Sequence, residues 1–145
     1  MTERIDFVFP VEPTAVQSAR FFRCGGGIRS YQPEKVTNFK RGIRISALNG
    51  LPPDFRPFDV PLKLEVDFVF APLRSMRKRD LAKIAAGEIV WKPSRPDIDN
   101  LSKAMFDALN GVLWKDDALI IDYHARKVFG ASEMIILSVF PLLLS

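Results

Sequence analysis

The chain has little cysteine, little histidine and no long uninterrupted apolar run. One cysteine in 145 residues, Cys24, excludes an intramolecular disulfide and fits a reducing compartment. No histidine pattern accompanies it, so Cys24 reads as incidental rather than nucleophilic. The lone histidine, His124, follows Asp122 and Tyr123 in an expected strand and reads as structural or exposed, not as a base or a ligand. A secretory leader is not expected, because Met1 to Val11 carries Glu3, Arg4 and Asp6 where a continuous apolar region belongs. The most apolar run, Met134 to Leu144, is broken by Ser138 and Pro141 and is too short to span a bilayer. No membrane association is therefore expected, and the protein reads as cytoplasmic. Gly25-Gly26-Gly27 lacks a following Gly-Lys-Ser/Thr, which excludes a phosphate-binding P-loop.

What is present is ordinary in amount and uneven in distribution. The length suits one domain over residues 1–145 with its own core, and 48% hydrophobic and 26% charged residues are normal for a globular protein. Twelve phenylalanines point to a core or interface rich in aromatic packing. The net charge is only +4, yet residues 74–95 hold seven Lys or Arg against Asp80 and Glu88, while residues 96–145 hold four against seven acids. A basic segment that leads directly into an acidic one has the form needed to hold phosphate backbone beside a cation site; a solvated charged helix has it too.

Periodicity places the elements. Ile5 to Val11 reads as a strand stopped by Pro10 and Pro13. Thr14 to Gln32 has weak periodicity and reads as a loop carrying Arg20, Arg23 and Arg29, which are candidates to grip DNA phosphates. Pro33 opens a helix with Glu34 in its first turn and a stop at Gly50; Val36, Phe39, Ile43 and Leu48 give the apolar stripe. Leu62 to Phe70 alternates strictly and predicts a half-buried strand. Ser75 to Ala86 reads as a short basic helix with Arg77, Lys78 and Arg79 at its start, and Ile89 to Pro96, which includes Arg95, as extended chain. A helix follows over Asn100 to Asn110, then strands over Ala118 to Phe129 and Glu133 to Phe140 joined near Gly130. Without strict βαβ alternation, this order predicts one compact α+β domain: a mixed sheet of about four strands with two to three helices packed on it.

The chemistry concentrates in Asp97-Ile98-Asp99-Asn100 and Asp116-Asp117. Carboxylates repel one another, and close sets of them persist mainly where a divalent cation neutralises the repulsion. In an extended chain Asp97 and Asp99 project to one side with Ile98 toward the core. Lys103 lies one helical turn beyond Asp99. A helix and a tight return are able to bring Asp116 and Asp117 back toward the first pair. Three carboxylates at one point hold Mg²⁺ and leave positions for water and phosphate oxygen, which is the equipment of phosphodiester hydrolysis. A plainer reading of the same residues makes Asp99 an N-cap, pairs Lys103 with Asp107 and leaves Asp116-Asp117 as a solvated turn. Trp91 and Trp114 bracket the acidic residues and are expected to pack beneath them.

The run Arg95-Pro96-Asp97-Ile98-Asp99-Asn100-Leu101, with Lys103, Phe106 to Gly111 and Trp114-Lys115-Asp116-Asp117, resembles the signature of RusA-type Holliday junction resolvases. The resemblance extends weakly over most of the chain and is specific over residues 95 to 123. It implies a small Mg²⁺-dependent crossover-junction endodeoxyribonuclease, with Mn²⁺ as a possible substitute, that acts as a homodimer and makes paired nicks across four-way DNA. On that resemblance the essential acids fall on Asp97, Asp99 and Asp117, and the motif lysine on Lys103. Asp116 becomes a flanking acid. Two other functions remain open on the residues alone: a branched-DNA-binding module without catalysis, and a metal-dependent nuclease that prefers flaps or single strands. The segment Ile135 to Leu144 is expected to be a core strand followed by a dimer contact.

Overall fold

Strict alternation in one segment builds the centre of the molecule. In β4 (Leu62–Phe70), Leu62, Leu64, Val66 and Phe68 turn to the interior and are at most 2% exposed, while Lys63, Glu65 and Asp67 turn outward. The computed structural model describes residues 4–16, 20–31 and 33–142. Within it β4 is flanked by β7 (Met134–Pro141), antiparallel, and by β6 (Ile120–Phe129), parallel. β1 (Ile5–Phe9) adds to β7 and the two-residue β5 (Val90–Trp91) adds to the end of β6, giving the order β1-β7-β4-β6-β5. The mixed sheet is as expected, with β5 as one strand more.

One face of the sheet is covered. α1 (Glu34–Asn49) and α3 (Ile98–Leu109) pack against each other, α1 also meeting β1 and α3 meeting β6, and Phe39, Ile43, Leu101, Met105 and Leu109 share one buried core with Leu64, Leu137 and Val139. The amphipathic stripe read from the sequence is the stripe that is buried, except that Leu48 of α1 is 58% exposed. Core contacts of this kind contribute roughly 1.5–3 kcal/mol per fully buried Leu, Ile or Phe side chain. α2 (Lys78–Ala85) is short and buries only Ile84; it leaves from the end of β4 and returns to β5. No helix among the described residues is long and apolar enough to cross a membrane.

The segment expected to be a loop is instead a hairpin. β2 (Arg20–Cys24) and β3 (Gly27–Tyr31) pair antiparallel, with Gly25 at φ +56° and Gly26 at φ +86° between them. Both turn positions lie in the left-handed region, which glycine enters without steric cost, and such two-residue turns match the twist of the strands they join. The glycines that suggested flexibility are the turn chemistry of a hairpin. At the opposite end of the register, β6 has a free side: β5 reaches only Val128 and Phe129, and Lys92 N–H extends that pairing to Lys127 C=O at 3.0 Å. From Ile120 to Arg126 the outer edge of β6 has no strand beside it among the described residues.

Candidate active site

α3 carries the acidic residues, and its start differs from the expectation. The helix begins at Ile98 with Asp97 as N-cap (φ −69°, ψ 141°), so Asp97 and Asp99 are related by the first helical turn and not by strand alternation. A carboxylate at a helix start meets the positive end of the dipole and free N–H groups, which favours early helix entry over continued extension. Ile98 consequently is 37% exposed and does not enter the core. Asp97 makes no capping hydrogen bond, and Asp99 Oδ1 accepts from Asn100 N–H at 2.9 Å. Both carboxylates are exposed.

The first turn of α3 is held by a polar clip that the sequence reading did not single out. Ser102, 6% exposed, donates from Oγ to Ile98 C=O at 2.8 Å and shares a 2.5 Å hydrogen bond with the Tyr123 hydroxyl of β6. Burial pushes the Tyr123 phenol up to about 12, so this hydroxyl stays protonated at neutral pH and acts as a hydrogen-bonding strut. Ile98, Asp99, Ser102, Lys103, Phe106, Tyr123 and Ala125 together line an open groove of about 470 Å³ along the free side of β6. Lys103 is exposed on its rim, one turn past Asp99. It does not pair with Asp107, whose partner is Lys40 at 3.5 Å.

Asp117 stands at the other end of the helix. Asn110 follows α3, Gly111 turns the chain at φ +79°, and Trp114, wholly buried, donates from Nε1 to Asn110 Oδ1 at 2.7 Å. Asp116 then caps a 3-10 turn over Asp117–Leu119 by accepting from Ala118 N–H. Burial raises the pKa of the half-buried Asp117 carboxyl, Asp116 and Asp107 raise it further, and the Asn110 side chain pulls the other way. Twelve residues of helix separate Asp97 from Asn110, about 18 Å. The expected return of the second acidic pair to the first does not occur within one chain. Trp114 is wholly buried, edge-on to Phe106; Trp91 does not pack beneath the acids, being 58% exposed with the Arg126 guanidinium 5.8 Å from its ring centre.

The donor chemistry suits a hard divalent cation, since these groups offer only carboxylate oxygen and Asp117 is pressed by two neighbouring acids. Among the described residues, however, no three Asp, Glu, His or Cys side chains stand together as a cation cluster. A single chain therefore does not close a three-carboxylate site.

The other candidates divide by position. Arg95 is exposed beside Asp97, in a loop anchored by Lys127 Nζ, which donates to Ser94 C=O at 2.7 Å and Pro96 C=O at 2.8 Å. Arg77, Lys78 and Arg79 are exposed at the start of α2, on the same end of the sheet as that loop. Arg23 is exposed on the hairpin; Arg20 and Arg29 belong to β2 and β3 by backbone, and their side chains lie outside the described ones. His124 is exposed on the outer sheet face, 3.0 Å from Asp122 and away from α3.

Comparison with known proteins converges on the same span. The profile of the family described as Endodeoxyribonuclease RusA matches residues 10–139. The chain is 27% identical over 128 residues to the crossover junction endodeoxyribonuclease rusA of Lactococcus phage r1t, covering 86% of this chain and 88% of that protein. It is 28% identical over 128 residues to the uncharacterized protein YqaN of Bacillus subtilis (strain 168), covering 87% and 88%. The matched span takes in β2 and β3, the Lys92–Pro96 loop, all of α3 and the Asp116-Asp117 turn, and on it the chain belongs to the RusA family of endodeoxyribonucleases.

Proposed function

We propose that this chain is a crossover-junction endonuclease that resolves four-way DNA by paired symmetric nicks, in recombination and repair, and that it works as a homodimer with Mg²⁺. The observation that carries the reading is the separation of the acids along α3. Asp97 and Asp99 sit at its cationic end and Asp117 beside its crowded acidic end, with twelve residues of helix, about 18 Å, between the two ends. One copy supplies two half-sites and no whole one.

A second copy completes them most simply along the free edge of β6. Open backbone groups from Ile120 to Arg126 are able to pair with another strand, and Ile121, 61% exposed, and the apolar groove beside Tyr123 need cover. β6 runs from the Asp117 turn toward the Pro96 loop, so an antiparallel partner lays its Asp117 end against the first copy's Asp97 and Asp99. A twofold axis then yields two identical sites, as symmetric cleavage requires. Asp97 and Asp99 of one copy and Asp117 of the other would hold Mg²⁺, or Mn²⁺ in its place, which when bound supplies an activated water and neutralises charge at the phosphate.

The chain's own groups do the rest. The α3 N-terminus and Lys103 present positive charge to the strand at the point of cleavage. The Ser102–Tyr123 clip fixes the turn that aims Asp99. Arg95, Arg77, Lys78, Arg79 and the arginines of the hairpin bind backbone, which makes affinity fall steeply with salt.

The test is cleavage of a synthetic mobile four-way junction in Mg²⁺ by the wild type and by Asp97→Asn, with binding followed in parallel. Symmetric nicks by the wild type, and binding without nicking by the variant, are expected. Tight binding by the wild type with no cleavage in Mg²⁺ or Mn²⁺ would overturn the nuclease reading and leave a junction-binding module. Preference for flaps or single strands at equal salt would redirect the substrate.

A further inference from the structure

Beside the N-terminal end of α3 lies a cleft of about 390 Å³ bounded by Glu12, Thr14, Lys35, Lys92, Arg95 and Pro96. Its walls are tied to the helix start: Val16 N–H donates to Asn100 C=O at 3.2 Å, and Lys127 holds the Ser94 and Pro96 carbonyls on the other side. The floor is Lys92, which is 9% exposed.

Burying a lysine is unusual unless an acid partners it. Lys92 has no carboxylate within ion-pair distance among the described residues. Its ammonium lies over Phe70 and Phe129, with Nζ 5.0 and 5.2 Å from the ring centres, and donates to Ser94 Oγ at 3.0 Å. Two ring faces and one hydroxyl compensate a charge only in part. Burial and the neighbouring Lys127 both lower its pKa, a sign that the site lacks negative charge. The only acid on the cleft, Glu12, is already engaged by Lys35 at 3.2 Å. The cleft thus has a buried cation in its lining, an exposed guanidinium at its rim and no free anion of its own.

We propose that this cleft is a seat for one backbone phosphate of the DNA strand that passes Asp97 and Asp99, with Lys92 at its floor and Arg95 at its rim. The inference rests on the nuclease reading and adds to it a binding residue, Lys92, in a fixed position. A phosphate there would face the ammonium, the guanidinium and the Ser94 hydroxyl, all donors without acceptor competition. Because Lys92 is pinned by two rings, the seat would set where along the strand the next phosphate meets the carboxylates.

The experiment measures binding of a four-way junction in chelator across a salt series, for the wild type, Lys92→Met, Arg95→Gln and, as a charge control on α1, Arg44→Gln. Lys92→Met sets an apolar thioether in place of an ammonium beside Phe70 and Phe129 and removes a poorly compensated buried charge, so its Tm is expected to equal or exceed that of the wild type. Its junction affinity is expected to fall about tenfold, and the slope of log affinity against log salt to flatten by about one, with Arg95→Gln behaving alike and Arg44→Gln changing neither. Unchanged affinity and slope in both Lys92→Met and Arg95→Gln would overturn the seat, and so would an equal change in Arg44→Gln. If Lys92→Met does not fold, Arg95→Gln against Arg44→Gln decides the matter. A wild type that fails to bind the junction would instead overturn the nuclease reading beneath it.

Discussion

The two ends of α3 carry the same residue type in opposite surroundings. At the N-terminus Asp97 and Asp99 are exposed, with the helix dipole, Lys103 and Arg95 near them and Lys127 bonded to the preceding Pro96 carbonyl. At the C-terminus Asp117 is half-buried, pressed by Asp116 and Asp107, with Lys40 the cation that reaches Asp107. The first environment attracts an anion and the second a cation. Phosphodiester hydrolysis needs both at one point, and a rigid helix of twelve residues keeps them apart. On the proposed dimer, the two ends complement each other across a twofold axis. Each prediction that follows tries to bring the two ends together or to separate their roles.

The largest effect expected is one of complementation. Asp97→Asn and Asp117→Asn alone should each lose at least about 100-fold in junction cleavage while still binding the junction. Mixed and allowed to exchange subunits, they form a dimer with one doubly impaired site and one intact site. Nicking should then return, as single nicks and not paired ones, read on a denaturing gel. If each chain held a complete site, both sites of every mixed dimer would be impaired and the mixture would stay inactive.

Lys103 stands between the two ends and belongs by position to the first. Lys103→Met should reduce the cleavage rate by about 10- to 100-fold with a much smaller loss of binding, since a charge aimed at the reacting phosphate acts more on the transition state than on the bound ground state. Equal losses in binding and in rate, measured in single-turnover assays, would make Lys103 a general backbone contact. The clip beneath it gives a smaller and mainly structural effect. Ser102→Ala leaves the buried Tyr123 hydroxyl without its partner and should cost about 1–3 kcal/mol in urea unfolding. Tyr123→Phe in the same background removes the orphaned hydroxyl and should recover part of that loss.

How much of this was legible in the sequence depended on how local the signal was. The alternation of Leu62–Phe70 and the apolar stripe of α3 are written in residue spacing; β4 formed where spacing placed it, and α3 began two residues earlier. The hairpin at Arg20–Tyr31 was missed because its signal is a turn: three glycines suggest slack chain unless the positive φ at Gly25 and Gly26 is foreseen. Asp97, Asp99, Lys103 and Asp117 were visible as chemistry. Their mutual distance was not, because it depends on where Gly111 and Trp114 return the chain after α3. Lys92 was one charge among seven in a basic segment, and its burial comes from Phe70 and Phe129 on two other strands. Ser102 and Tyr123, 21 residues apart, meet only through the packing of α3 on β6.

The smallest effect separates the electrostatics of the crowded end from its catalytic use. In the folded chain the Asp117 carboxyl is raised above its ordinary value of 3.8 by burial and by Asp116 and Asp107. A carboxyl raised on folding favours the folded state when protonated, and that contribution is lost as pH rises through its folded pKa. At pH 7 the charged Asp117 is therefore a burden on stability, which Asp117→Asn removes. In chelator the variant should melt higher than the wild type at pH 7, by no more than about 3 °C, and the gap should close as pH falls toward 3.8. Asp97→Asn at the exposed end should show no comparable gain. A divalent cation should reverse the order, because only the wild type's charged Asp117 has a ligand to offer it. If Asp117→Asn instead lowers the melting temperature at pH 7 in chelator, the crowding at that end is already compensated within one chain. The contrast between the two ends of α3 would then lose its electrostatic basis.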